Sequence, residues 1–549
     1  MRKGIRNHIV NIILPSVVFS AIVGVITGAI VFAFRLISEE VIHLSERLFL
    51  YAGTHLWAVP LVVLGAVLIA LLVSLCLVYS PHSKGGGIPT AVALMRGLIT
   101  FHWLRNLIFV FTSALFSYLC GIPLGNDEGP AVQMGTAVGS GTTSLFAKKH
   151  RAWERYLMTG GATAGFATAT CAPISAVLFS VEEAHRRIFP LLLMSSITSV
   201  LGGMGMLRLL CVLTGRFELL TLFSLPKLRV MPLRSIWVAA VIGLLCGGFA
   251  YLLVLFTLKV RKVLHKTLKG VHPFFELAPV FAVVALLGCF FYEHHVIGTG
   301  HHLIESLVQH REVWYAALVL LAVRAVLVVF ANDVGATGGL FTPLLVFGAL
   351  IGSVTADALI ALGVLHEAYF PLLVVIGMAS FLAASARIPV TAAAFALEAF
   401  GGLSNVLPIL TAILISYVIV EAIGVTSINE IALEREVHKQ DKGKERKVVD
   451  VRLVAKAGAF AIGKEPRDIL WPAFCHVLSV RKGSAEQDSY EGGAIKENDV
   501  LRLNFTTYDP AATAEELCEI LGEQEVYHEG AEVKSEFGGP ALSERVGKQ

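Results

Sequence analysis

The sequence predicts an all-α polytopic membrane domain followed by a small α+β domain. Three observations predict it. Of 549 residues, 55% are hydrophobic and only 15% are charged, against about 25% charged in soluble globular chains. Mean hydropathy is +0.72. Long stretches without Asp, Glu, Lys or Arg recur through the first 440 residues and then stop. A soluble fold of this size has no interior large enough for so much apolar surface, so a cytosolic enzyme, a disordered scaffold and a secreted disulfide-rich protein are excluded.

The charge-free stretches include 7–34, 48–83, 106–126, 188–206, 235–258, 334–356, 368–386 and 399–420. Each is long enough for a span of about 20 residues. The stretches 277–292 and 313–332 are shorter or carry one charge. The start, Met1-Arg2-Lys3-Gly4-Ile5-Arg6, is basic, which places the N-terminus in the cytoplasm. A signal peptide also starts basic, but this apolar run is too long for one and many spans follow it. Fifty glycines imply helices that pack closely or are interrupted. The eight cysteines are scattered with no CxxC pair, which reads as isolated buried thiols rather than disulfides or metal ligands. Residues 441–549 hold 20 acidic against 15 basic residues, and the remainder is net positive. Neither part shows the basic patch of a nucleic-acid binder.

The chain contains an internal repeat. Pro130, Gly135 and Gly139-Ser140 match Pro343, Gly348 and Gly352-Ser353 at an offset of 213. Pro173-Ile174-Ser175-Ala176-Val177-Leu178-Phe179-Ser180-Val181-Glu182 matches Pro389-Val390-Thr391-Ala392-Ala393-Ala394-Phe395-Ala396-Leu397-Glu398 at an offset of 216. Two patterned matches at nearly one offset favour duplication over chance similarity of Ala/Gly-rich helices. Duplicated membrane domains commonly pair inverted halves, with the site where helices break near the midplane.

Four interruptions mark such breaks: Lys84–Pro89, Gly125–Pro130, Gly338–Pro343, and the loop ending in Thr426-Ser427-Ile428-Asn429. In the first three, glycine permits close backbone approach and proline suits a first helical turn. A helix that starts inside the membrane directs unpaired N–H groups and its positive dipole end into the protein. Several such ends together make an anion site without lysine or arginine.

Glu128 stands at one of these helix starts. It is either a capping carboxylate or a carboxylate that competes with an anion for the positive helix end and leaves when protonated. Asp127 beside it reads as a capping or structural residue. Glu182 and Glu183 close the run from Pro173, before His185-Arg186-Arg187, and read equally as a helix-end pair or as functional acids. The repeat keeps Glu398 opposite Glu182 but has Ala399 opposite Glu183, so Glu183 is the member that duplication leaves unexplained. Glu293-His294-His295 and His301-His302 lack a convincing third ligand for a metal. Arg387 reads as a structural charge bonded to backbone.

At these motifs the chain resembles the chloride channel/transporter (CLC) family over roughly 10–436. The family signatures GSGIP, GREGP and GxFxP appear as Gly85-Gly86-Gly87-Ile88-Pro89, Asp127-Glu128-Gly129-Pro130 and Gly339-Leu340-Phe341-Thr342-Pro343. The resemblance implies a homodimer in the cell membrane, with one anion pathway per subunit built from two inverted halves. It implies exchange of an inorganic anion, chloride or similar, for protons, with no cofactor and no metal. By position Glu128 resembles the gating glutamate and Glu183 the internal proton-transfer glutamate. Gly86, Gly87, Ile88, Gly129, Leu340, Phe341 and Asn429 fall at anion-binding positions, with Leu340 and Phe341 giving backbone N–H groups. The sequence departs from the pattern at three places. Gly86 stands where the family has a serine hydroxyl, Asn429 where it has a tyrosine, and the gate motif carries one extra residue. Both central side-chain ligands are thereby missing, which predicts weak anion binding and loose proton coupling.

The membrane domain is assigned to 1–436, and 437–447 to a charged linker past a last pore helix ending near Leu433. Residues 448–454, 474–481 and 500–505 alternate as strands, with short helices at 466–470 and 512–521. This α+β unit, 448–522, resembles the C-terminal regulatory domain of potassium-transport regulators (RCK-C, or TrkA-C) at Ala461–Lys464, Leu470-Trp471-Pro472 and Ile495–Leu501. That resemblance implies a cytoplasmic domain that binds a small-molecule ligand, with a polar tail over 523–549. The alternative to an antiporter is a passive voltage- or pH-gated anion channel. A cation-transport subunit is suggested by the tail alone, and positive helix ends oppose it. A membrane enzyme would need a metal or nucleophile motif that is missing.

Overall fold

The computed structural model describes residues 14–146, 152–224, 226, 228–268, 270–309, 311, 313–440, 447–482, 493–507 and 510–522. The expected tail over 523–549 lies outside the described residues, as does most of the linker.

The first half contains α1 (Leu14–Thr54), α2 (Val59–Tyr79), α3 (Ile88–Met95), α4 (Trp103–Leu119), α5 (Glu128–Phe146), α6 (Glu154–Thr170), α7 (Pro173–Phe179) and α8 (Pro190–Thr214). The second contains α9 (Ile236–Thr267), α10 (Pro273–Phe291), α11 (His301–Gln309), α12 (Trp314–Val334), α13 (Phe341–Ala361), α14 (Phe370–Ala386), α15 (Pro389–Phe400) and α16 (Val406–Ile423). Among the described residues, nine helical segments are long and apolar enough to cross a membrane. Proline stands at the first or second position of α2, α3, α7, α8, α10, α14 and α15, where its missing N–H costs nothing.

The repeated glycines are the points where helices touch. A Cβ on Gly135 would collide with the Gly161 carbonyl, and one on Gly139 with the Leu157 carbonyl, so α5 and α6 pack backbone to backbone. Their counterparts do the same: Gly348 lies against Gly377 and Gly352 against Leu373, joining α13 to α14. These four helices form the buried centre, and α5 and α6 are rich in Gly, Ala and Thr rather than strongly apolar.

The two halves meet reciprocally. Glu398 on α15 accepts from the Ile174 and Ser175 N–H groups at the start of α7, at 2.8 and 2.7 Å. Glu182 accepts from the Val390 and Thr391 N–H groups at the start of α15, at 3.0 and 2.7 Å. Residues separated by 216 positions thus exchange identical contacts, which is what a two-fold relation between halves produces. Glu182 and Glu398 are helix caps.

Helix α17 (Ile428–Gln440) follows. It continues past Leu433, so 437–440 are helical and not part of an extended linker. The tail forms an antiparallel sheet of β1 (Lys447–Val454), β2 (Cys475–Arg481) and β3 (Val500–Thr507) in the order β1-β3-β2, followed by α18 (Pro510–Leu521). Val451, Leu453, Leu501, Leu503 and Phe505 are buried with Leu517 and Leu521 of α18, the alternation expected of strands covered on one face. Pro466–Asp468 forms a single turn rather than a helix to residue 470.

Candidate functional site

Three helix starts converge at the junction of the halves. Gly125 and Gly339 pair as an isolated antiparallel bridge, with N–H···O distances of 2.5 and 3.2 Å. Gly87 has φ +73° and lies against the Gly129 carbonyl, while Gly129 lies against the Gly86 carbonyl and the Gly339 Cα. A side chain at Gly129 would collide with backbone on two sides, so the glycines are what allow α3, α5 and α13 to begin at one place. Thr337 Oγ1 donates to the Ser83 carbonyl at 2.9 Å, fixing the loop before α13 to the loop before α3.

Glu128, 1% exposed, projects into this junction. Its Oε1 accepts from Thr342 Oγ1 at 2.7 Å, in the first turn of α13. Among the described residues, its buried Oε2 has no partner. The carboxylate therefore lies at the N-terminal end of a helix from the opposite half, where leading amides have no intrahelical acceptor. Leu340 and Phe341 are at that end. Phe341 packs edge-on against Phe166 and Phe395, at ring separations of 5.2 and 5.0 Å. Ile88, expected to face the anion, gives its N–H to the Gly86 carbonyl at 2.8 Å. That donor is occupied by a local turn, leaving Gly86 and Gly87 as the backbone of this loop.

Asp127 has a structural setting. It accepts from Ser38 Oγ at 2.9 Å, with Arg35 Nε 3.9 Å away. Arg35 also donates to the Thr168 and Leu219 carbonyls at 2.9 and 2.7 Å. Asp127 thus anchors α1 beside Glu128.

A second cluster lies at the other end of α7. The chain widens into a π turn over Ser180–His185, a distortion that recurs at functional sites. Arg96 holds it, donating to the Ala184 and Glu183 carbonyls at 2.7 and 2.8 Å. Arg96 and Arg186 both reach Glu430, at 3.4 and 2.8 Å. The Glu183 carboxylate is buried and accepts from the Asn429 amide. Asn429, expected among the anion ligands, is therefore placed against the second glutamate, and its buried Oδ1 has no partner among the described residues. Ser427 Oγ accepts from the Glu430 N–H at 3.1 Å and caps α17. A small cleft here is lined by Arg96, Glu183, Arg387, Asn429 and Glu430. Arg387 pairs with Glu421 rather than with backbone. Among the described residues no three His, Cys, Asp or Glu side chains converge as metal ligands.

The tail packs on the start of α6, a contact that no motif foreshadows. Arg155 donates to the Trp471 carbonyl at 2.6 Å and pairs with Glu516 at 2.8 Å. The Tyr156 hydroxyl accepts from the Leu470 N–H at 3.0 Å. Phe460 lies edge-on to Trp153 at 5.3 Å. Lys464 donates to the Phe460 carbonyl at 2.5 Å and lies over the Trp153 ring at 5.7 Å. Burial pushes the Lys464 ammonium down to about 6, because ring faces replace only part of its hydration.

Helix starts converging between two reciprocally packed halves, with a buried carboxylate at the centre, define a transport protein of the broken-helix class. A profile of the voltage gated chloride channel family matches residues 65–421, and the chain belongs to that family. It is a multi-pass membrane protein. It is 26% identical over 434 residues to the H(+)/Cl(-) exchange transporter ClcA of Klebsiella pneumoniae (strain 342), spanning 78% of this chain and 90% of that relative. The H(+)/Cl(-) exchange transporter ClcA of Vibrio parahaemolyticus serotype O3:K6 is 27% identical, over 77% of this chain and 90% of its own length. In fold, the chain matches a slow cyanobacterial Cl-/H+ antiporter with a TM-score of 0.70 at 24% identity, covering 78% of this chain and 99% of that one. A CLC-type fluoride/proton antiporter matches at 0.59 and 20% identity, covering 75% and 96%.

Proposed function

We propose that this protein exchanges chloride or a similar inorganic anion for protons across the cell membrane, with both termini in the cytoplasm. The observation that carries the reading is Glu128, a buried carboxylate bonded to Thr342 at the head of α13. An anion attracted by the unpaired amides of that helix competes with the carboxylate for the same place. Protonation removes the carboxylate's charge and releases it, so one residue serves both ions. Glu183, buried near the cleft that Arg96 and Glu430 line, takes the role of the internal proton carrier. The relatives named as H(+)/Cl(-) exchange transporters support the same chemistry. The test is reconstituted protein in vesicles, with anion efflux and internal pH followed together across halides and nitrate. Anion efflux that drives proton movement supports exchange; efflux that leaves internal pH unchanged makes the protein a channel.

Two expected results follow for parts of this reading. Gly86→Ser is expected to tighten chloride binding about tenfold, the worth of one hydrogen bond to a charged group. A Cβ there meets the Leu340 side chain, Cγ at 3.3 Å and Cδ1 at 3.5 Å, so the serine fits if Leu340 shifts by a few tenths of an ångström. Calorimetry with unchanged affinity would show that Gly86 does not face the anion.

The tail is read as a regulatory domain resembling RCK-C, and the subunit as half of a homodimer. The tail contacts α6, and Thr159 of that helix hydrogen-bonds His185 at 2.8 Å, within the π turn that holds Glu183. A ligand that binds one tail conformation better than another shifts transport only by that difference in affinity. Arg155→Ala removes two tail contacts and is expected to weaken docking by about 1–3 kcal/mol. Hydrogen exchange at 460–471 should rise and the transport rate should change, with proton coupling kept. Unchanged exchange would mean that Arg155 does not hold the tail, and loss of dimerisation without a rate change would mark the tail as an assembly element.

A further inference from the structure

The family's central serine is absent, yet a polar side chain stands next to the vacated place. Asn332 lies in the last turn of α12, beside the loop that carries Gly85 and Gly86. A Cβ built on either glycine would come within 3.8 Å of Asn332 Oδ1. The same Cβ on Gly86 meets Leu340 Cγ at 3.3 Å and Cδ1 at 3.5 Å, so Asn332, Gly86 and Leu340 share one small region. Its neighbours are committed elsewhere. Asp333 pairs with Arg435 at 3.3 Å and Lys84 with Glu276 at 3.4 Å. Asn332 is half-buried, and among the described residues its amide makes no hydrogen bond. A half-buried amide beside this loop, without a partner among the described residues, is free to donate to an acceptor there. Nothing fixes which of its two ends faces the loop, so the NH₂ group can turn toward an anion.

We propose that Asn332 supplies the side-chain donor to the transported anion that Gly86 lacks, reaching from α12 what a serine would reach from the loop before α3. The exchange relocates the donor and changes its type. An amide is fixed to a longer side chain than a hydroxyl and presents two hydrogens. Chloride held this way accepts from the backbone N–H groups of Leu340 and Phe341 and from the Asn332 amide. This assignment rests on the anion-transport reading and adds to it the residue that sets anion affinity and preference.

The test is chloride binding by calorimetry on detergent-solubilised full-length protein, with anion flux in vesicles, for wild type, Asn332→Leu, and Asn332→Leu combined with Gly86→Ser. Asn332→Leu is expected to weaken chloride binding about tenfold or more, with thermal unfolding unchanged. The added serine is expected to recover most of the loss by returning a hydroxyl to the same region. Asn332→Leu that binds chloride as tightly as wild type overturns the inference. So does a loss that Gly86→Ser cannot restore, since that marks a packing defect rather than a missing donor. Wild-type protein that neither binds nor moves chloride, other halides or nitrate would instead remove the anion-transport reading, and this assignment with it.

Discussion

Glu128→Gln is expected to stop proton movement and leave anion flux equal to or above wild type, with its pH dependence gone. The glutamine amide oxygen can still accept from Thr342 Oγ1, as Glu128 Oε1 does at 2.7 Å, so the helix start is not disturbed. The side chain no longer carries a charge that competes with the anion, and it has no proton to exchange. The substitution thus imitates the protonated state permanently. The effect on proton flux is all or none. Paired recordings of anion efflux and internal pH in vesicles measure it. Full proton-coupled transport by this variant would move the gate elsewhere. Asp127 is a poor replacement, because Ser38 and Arg35 hold it toward α1.

Glu183→Gln is the second large effect. Proton movement is expected to fall to background while anion flux continues. The anion's proposed contacts, at Gly87, Gly129 and Leu340–Phe341, lie at the helix starts, and Glu183 lies at the far end of α7. The π turn that carries it is held through backbone carbonyls by Arg96, so the substitution leaves that support intact. Glutamine also keeps an oxygen for the Asn429 amide. Only the titratable proton is lost. Anion flux that collapses along with proton flux would place Glu183 in the anion route, or would show Glu183 to be a structural part of the helix end.

Much of this arrangement is legible in the sequence because it depends on residue types with few substitutes. Pro at helix starts, glycine where backbones touch, and acids inside apolar runs have physical causes that survive without a structure. The repeat also foretold which glutamate is structural: Glu182 has a counterpart in Glu398, and both cap the opposite half. What stayed hidden depends on distance in three dimensions. Helices α5 and α6 escape a search for apolar runs because their small residues face other helices rather than lipid. The pairing of Asn429 with Glu183 joins residues 246 positions apart. The docking of Trp153, Arg155 and Tyr156 onto the tail joins segments more than 300 positions apart. Ile88 falls at an anion-binding position of its motif, but a turn within its own loop uses its N–H.

Asn429 changes the expectation for coupling. A tyrosine at that position would stand between the two proposed routes, whereas Asn429 gives its amide to Glu183, the proposed proton carrier. Exchange is therefore expected to be real but looser than one proton per fixed number of anions. The decisive measurement is the reversal potential of reconstituted wild-type protein, with the anion gradient fixed and the pH gradient varied. The potential is expected to shift with the pH gradient, by less than tight coupling requires. A potential that ignores the pH gradient would contradict it and make this protein a passive anion channel.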